Sequence, residues 1–124
     1  MGDDERVFTI DEANAELPEL RERLPRVREA RRSLIEASER IEEAVTVDGG
    51  GVAGTEWFQA QQVLKTEVTY LVDRGIILRD PETGLVDFPS DREGRRVLLC
   101  WRLGEDDVAW FHETGGGFAG RKPL

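Results

Sequence analysis

Apolar residues near the start of the chain recur every three or four positions: Ile10, Ala13, Leu17, Leu20, Leu24, Val27, Leu34, Ile41 and Val45, with Arg31 and Ser38 breaking the series. That spacing predicts a long helix with a narrow, coiled-coil-like seam. Thr9-Ile10-Asp11-Glu12 has the form of a capping box, in which each outer side chain satisfies an orphan backbone N–H, so the helix is expected over 9–45. Glu19–Arg23, Glu22–Arg26 and Glu36–Arg40 stand at the i,i+4 spacing that supports a solvated face. Pro18 and Pro25 remove backbone donors, which predicts a short first segment and a bend near Pro18. After a flexible turn at Asp48–Gly54, a second helix over 55–74 carries Trp57, Ala60, Leu64, Val68 and Leu71 inward, with Gly75 as its stop. A short connection makes the two helices antiparallel neighbours. Folding about that turn sets Arg31 level with Glu67, which predicts a structural ion pair that fixes register more than it adds stability.

Beyond Gly75 the period falls from about 3.6 residues to 2. Ile76–Arg79, Leu85–Phe88, Arg96–Arg102 and Val108–Glu113 read as strands, separated by turns rich in Asp, Pro, Ser and Gly. The class is α+β: a long antiparallel helical hairpin, a four-stranded antiparallel β-meander over 76–113, and a glycine-rich C-terminal tail over 114–124. All of it is expected to form a single domain, 1–124. In the third strand Val97, Leu99 and Trp101 share one face, and Leu98, Cys100 and Arg102 the other. Both faces carry apolar bulk, so one is expected on the helices and the other beneath the tail or a second subunit.

Charge and cysteine usage narrow the partners. The net charge of −9 opposes binding to nucleic acid or to an anionic membrane surface, although Arg21, Arg23, Arg26, Arg28, Arg31 and Arg32 make the first helix locally basic. No stretch approaches the length of a membrane span, and MGDDERVF lacks a basic-then-apolar leader pattern. A single cysteine, Cys100, rules out an internal disulfide framework and a multi-cysteine zinc site, so a reducing cytoplasm is the expected location.

Three separated motifs carry a resemblance: FTIDEANAELPEL at 8–20, GLVDFP at 84–89, and CWRLGED…WFHE…GFAGRKPL from Cys100 to Leu124. Together they resemble a family of small uncharacterised bacterial proteins, domain of unknown function 2203. The resemblance spans nearly the whole chain. It implies a compact bacterial domain with no assigned activity, whose pattern emphasises Asp87, Trp101, Arg102, His112 and Arg121.

Most of the candidate chemistry lies after Leu99. Gly115–Gly120 spells G-x-G-x-x-G, but only four residues follow, so the helix that receives a dinucleotide pyrophosphate cannot form. A reduced form, an anion nest beside Arg121 and Lys122, competes with a plain flap over the sheet. His112 and Glu113 point to opposite faces of a strand, so His112 would instead join Asp87, or a glutamate from the helices, in holding a divalent metal; the alternative is a hydrogen-bonded structural histidine. Asp87, Arg102, His112 and Arg121 form the candidate site for a small anionic ligand, with Trp101 and Trp110 as walls. Against it stands a plain cross-strand ion pair between Arg102 and Glu113. Cys100 with His112 as base would make a nucleophile, but apolar burial raises a thiol pKa and silences it. There is no nucleophile elbow and no HExxH, so no catalytic residue is assigned and no cofactor is identified. The leading expectation is a non-catalytic interaction or structural module that self-associates as a homodimer through an exposed Leu17–Val27 stripe. That stripe would otherwise pack on the sheet of its own chain. The alternative function is a small-ligand or divalent-metal-binding domain.

Overall fold

The computed structural model describes residues 6–45 and 51–124. The readings that fall on residues 1–5 and 46–50, including most of the leader assessment and the start of the Asp48–Gly54 turn, lie outside them. Helix α1 (Ile10–Val45) and helix α2 (Gly51–Asp73) form the hairpin. Strands β1 (Ile77–Asp80), β2 (Leu85–Arg92), β3 (Arg95–Arg102), β4 (Trp110–Glu113) and β5 (Lys122–Pro123) follow, with a 3-10 turn at Phe118–Gly120.

The capping box is made: Thr9 N–H donates to Glu12 Oε1 at 2.9 Å and Glu12 N–H to Thr9 Oγ1 at 3.0 Å. Helix α1 then runs as one element through Pro18 and Pro25, not as two segments. An interior proline costs about 3 kcal/mol. Burial of Leu17, Leu20, Leu24 and Val27, at roughly 1.5–3 kcal/mol each, outweighs it. The first three of these leucines pack in one cluster with Val86, Phe88, Leu99 and Trp101. Most of the Leu17–Val27 stripe, expected as the homodimer contact, is thus covered by the sheet of its own chain, and Val27 at its end is buried as well.

Past Val27 the buried positions are Ala30 and Ala37, not Arg31 and Ser38. Both choices keep the 3-4 spacing. The alanines face inward because a small side chain allows close approach to α2, where Ala60 is buried. This rotation removes the expected Arg31–Glu67 pair. Buried Glu67 accepts from Arg23 Nη1 at 2.9 Å and lies 3.6 Å from Arg26, while Arg31 reaches Glu82 at 3.3 Å. Helix α2 starts at Gly51, four residues ahead of the anticipated Thr55, and so absorbs part of the turn. It ends as expected: Ile76 N–H bonds Leu71 O, Gly75 N–H bonds Val72 O, and Gly75 adopts φ +80°. This is a Schellman closure, which needs the left-handed conformation that glycine tolerates.

The strands form one antiparallel sheet in chain order, β1-β2-β3-β4-β5. The meander therefore has five strands, not four. The fifth is a two-residue strand in the tail, paired to β4 through Trp110 and Pro123, and too short to show alternation in sequence. Strand β2 runs on past Phe88 to Arg92, so the β2–β3 turn shrinks to Glu93 and Gly94, both at positive φ. Pro89 is tolerated in β2 because it lies beyond the paired residues of β1, where its carbonyl accepts from Phe8 N–H at 2.7 Å. No described helix is long and apolar enough to cross a membrane.

Two glycines offer a paired test of the turns. Gly84 and Gly94 stand at φ +72° and +80°, but a Cβ on Gly84 would lie 2.7 Å from Leu103 Cβ, whereas one on Gly94 would meet nothing within 4 Å. Gly94→Ala is expected to cost about 1–2 kcal/mol, the left-handed penalty alone. Gly84→Ala will cost more, because Leu103 is tied to the backbone and must move. Equal urea midpoints for the two variants would contradict this.

Candidate functional site: a buried Asp-Cys-His cluster under a glycine flap

Strand parity divides the sheet. Val86, Phe88, Val97, Leu99, Trp101 and Phe111 belong to the main core. The opposite face brings Asp87 of β2 beside Cys100 of β3, since the two are register partners. His112 of β4 pairs with Leu98, two residues from Cys100, and so lands on the same face. Asp87, Cys100 and His112 are each no more than 2 % exposed. One ligating atom from each lies within 4.8 Å of the others.

The hydrogen bonds fix what this cluster offers. His112 Nδ1 lies 2.7 Å from the Glu113 carbonyl oxygen, an acceptor only, so Nδ1 carries the proton and donates. In the neutral ring Nε2 then presents its lone pair, 3.1 Å from Asp87 Oδ2. Two acceptors that face each other require a proton or a cation between them. Arg79 Nε donates to the same Oδ2 at 2.7 Å. Asp87 Oδ1 is buried and has no hydrogen-bond partner among the described residues. Burial, and then the charge of Asp87, push the Cys100 thiol up to about 12, so the free thiol is a poor nucleophile, as its mid-strand position implies.

The other expected site residues are arranged differently. Arg121 Nη2 donates to Glu105 Oε2 at 2.8 Å, and its guanidinium lies over Trp110 and Phe118, 4.7 and 4.5 Å from the ring centroids. Arg102 lies 5.0 Å from the Phe118 ring. These two arginines gather around Phe118 and pin the tail, so the anion-nest cation is engaged. Glu113 accepts from Arg95, not from Arg102, since Arg95 is nearer its end of the sheet. Trp101 is on the core face, where its Nε1 donates to Asp106 O at 3.0 Å, and it forms no wall of the site. Along α1, Arg23, Arg26, Arg31 and Arg32 are paired with carboxylates, which leaves that helix less basic than its sequence.

The tail from Thr114 to Phe118 folds over the Asp87–His112 pair. With Arg79 and Leu85 it lines an open-sided cavity of about 280 Å³. Sequence reasoning joined Asp87 to His112 but omitted two members of the site. Cys100 was discounted as a nucleophile without being weighed as a ligand, although its parity with Asp87 was available. Arg79 is aimed by a register irregularity between Leu78 and Asp80, which leaves no trace in the pattern.

No curated protein and no solved structure matches this chain. Over residues 6–124, however, it matches the family described as "Uncharacterized conserved protein (DUF2203)". The three motifs that carry the resemblance lie on the cap of α1, on the Asp87 strand, and on the strands and tail that hold Cys100, His112 and Arg121; the chain belongs to this family.

Proposed function

We propose that the protein is a divalent-metal-binding domain whose cation is held by Asp87 Oδ1, Cys100 Sγ and His112 Nε2. The observation that carries this reading is the convergence of three buried donor side chains, one of which, Asp87, has a carboxylate oxygen without a hydrogen-bond partner among the described residues. The donor set of one nitrogen, one thiolate and one carboxylate suits zinc or cobalt better than calcium or magnesium. His112 has the outer hydrogen bond that orients a metal-ligating imidazole, Nδ1–H to a backbone carbonyl. A thiol that is inert toward alkylation still suits this role, because a coordinating cation deprotonates it outright. A cytoplasmic, reducing location keeps that thiol available.

Cobalt titration of chelator-treated protein tests the proposal. One equivalent is expected to bind, with a thiolate-to-cobalt charge-transfer band that Cys100→Ser removes and His112→Gln weakens at least tenfold, in line with the loss of a direct ligand. Absence of stoichiometric binding, or unchanged binding in both variants, overturns it.

Self-association is a second reading, supported by Phe58, Val63 and Val72 on α2, which are 58 %, 43 % and 66 % exposed. Light scattering that gives a monomer at about 50 µM, within the range of ordinary transient affinities, removes it.

A further inference from the structure

We propose that the cavity beside the cluster binds a small acid, with one carboxylate or phosphate oxygen completing the coordination of the cation and the remaining oxygens received by Arg79. This inference rests on the metal reading and adds the class of ligand.

Without a cation, Arg79 is neutralised by Asp87 through a 2.7 Å contact. A divalent ion on the Asp87 carboxylate and the Cys100 thiolate is itself neutralised by those two ligands. The Arg79 charge is then uncompensated at the cavity wall. The cations that would compete with it are engaged elsewhere, Arg121 by Glu105 and Arg102 on Phe118. A site with one net positive charge and a wall partly shut off from water selects an anion.

Coordination and geometry agree with this. Three protein ligands leave one tetrahedral position open, the arrangement that separates working zinc sites from closed structural ones. Asp87 and His112 belong both to the donor cluster and to the cavity lining, so the cation they hold borders the cavity. Among the described residues Arg79 is bonded only through Nε, and its side chain is 45 % exposed. Its terminal N–H groups remain as a fork suited to two oxygens of one acid group. Thr114 and Phe118 complete the lining on the flap side, Phe118 as an apolar wall. At about 280 Å³ the cavity is at the small end of ligand sites, matched to a metabolite-sized acid.

The experiment uses the full chain loaded with cobalt and follows its visible ligand-field spectrum. Inorganic phosphate and acetate are added in separate arms, with chloride at matched ionic strength as the reference. A saturable spectral shift with phosphate or acetate is expected, absent with chloride. Arg79→Gln should keep the charge-transfer band and weaken the anion about tenfold or more, with Arg79→Lys intermediate. A shift confined to phosphate assigns a phosphoryl group, and one confined to acetate assigns a carboxylate. Cobalt bound with no shift in either arm overturns this inference and leaves the metal reading standing. A shift of equal affinity in Arg79→Gln overturns it as well, because the anion is then held without Arg79. Failure of cobalt to bind removes both proposals together.

Discussion

Trp101→Ala will destabilise the protein by about 3–5 kcal/mol, the range for removing a large aromatic from a closed core. Trp101 is fully buried in the cluster that joins α1 to the sheet. Its ring also serves a loop. Nε1 donates to the Asp106 carbonyl at 3.0 Å, and Arg21 Nη2 donates to the same oxygen at 3.0 Å while its guanidinium lies 5.7 Å from the Trp101 ring. Trp101→Phe keeps most of the bulk but loses the N–H, so it should cost less, about 1–2 kcal/mol. Urea unfolding followed by circular dichroism measures both. A loss below about 1 kcal/mol for the alanine variant would mean that the core relaxes around the gap and that Trp101 is not its keystone.

Asp87→Ala is expected to cost about 1–3 kcal/mol in metal-free protein, because removing one partner of a buried hydrogen bond leaves the other unsatisfied. Asp87 and His112 both have side chains 2 % exposed. His112 Nε2 would lose its protein partner, whereas half-exposed Arg79 can turn to solvent. Asp87→Asn should lose less, since the amide keeps a hydrogen-bonding group next to Nε2. A double-mutant cycle with His112→Ala isolates the contact, and a coupling of about 1–3 kcal/mol is expected for residues bonded in this way. Coupling near zero would show that the two side chains are adjacent without depending on each other. This cycle is run in chelator, so its outcome is separate from cobalt binding.

Much of the fold was legible because its signals are local. Thr9 and Glu12 announce the start of α1 through their own backbone, and Gly75 ends α2 by a conformation few other residues accept. Parity alone separated Trp101 from Cys100 and His112 from Glu113, and the sheet obeys it. What escaped was what depends on tertiary choice. The α1 seam has two phases with the same 3-4 spacing, and only close approach to α2 selects Ala30 and Ala37 over Arg31 and Ser38. The pairing of Glu67 follows from that rotation. Pro18 and Pro25 are penalties that local rules overstate where a helix is clamped against a sheet. At the candidate site, Asp87 and His112 were recognised by residue type. Arg121 and Arg102 were grouped with them because charge in a sequence does not reveal which carboxylate or ring will claim it.

The chain-order arrangement of the sheet has a consequence for how the molecule assembles. Every strand pairs with its sequence neighbour, so each hairpin closes a short loop and the sheet can zip from β1 to β5 with little entropic penalty. The contacts that fasten α1 to this sheet are of another kind. Asn14 Oδ1 accepts from Val108 N–H across 94 residues, and Ser90 Oγ donates to Phe8 O across 82. Closing those spans is the costly step, although the cost grows only with the logarithm of length. The sheet, with the face that carries Asp87, Cys100 and His112, is therefore built from local pairings, whereas α1 joins its opposite face through long-range ones.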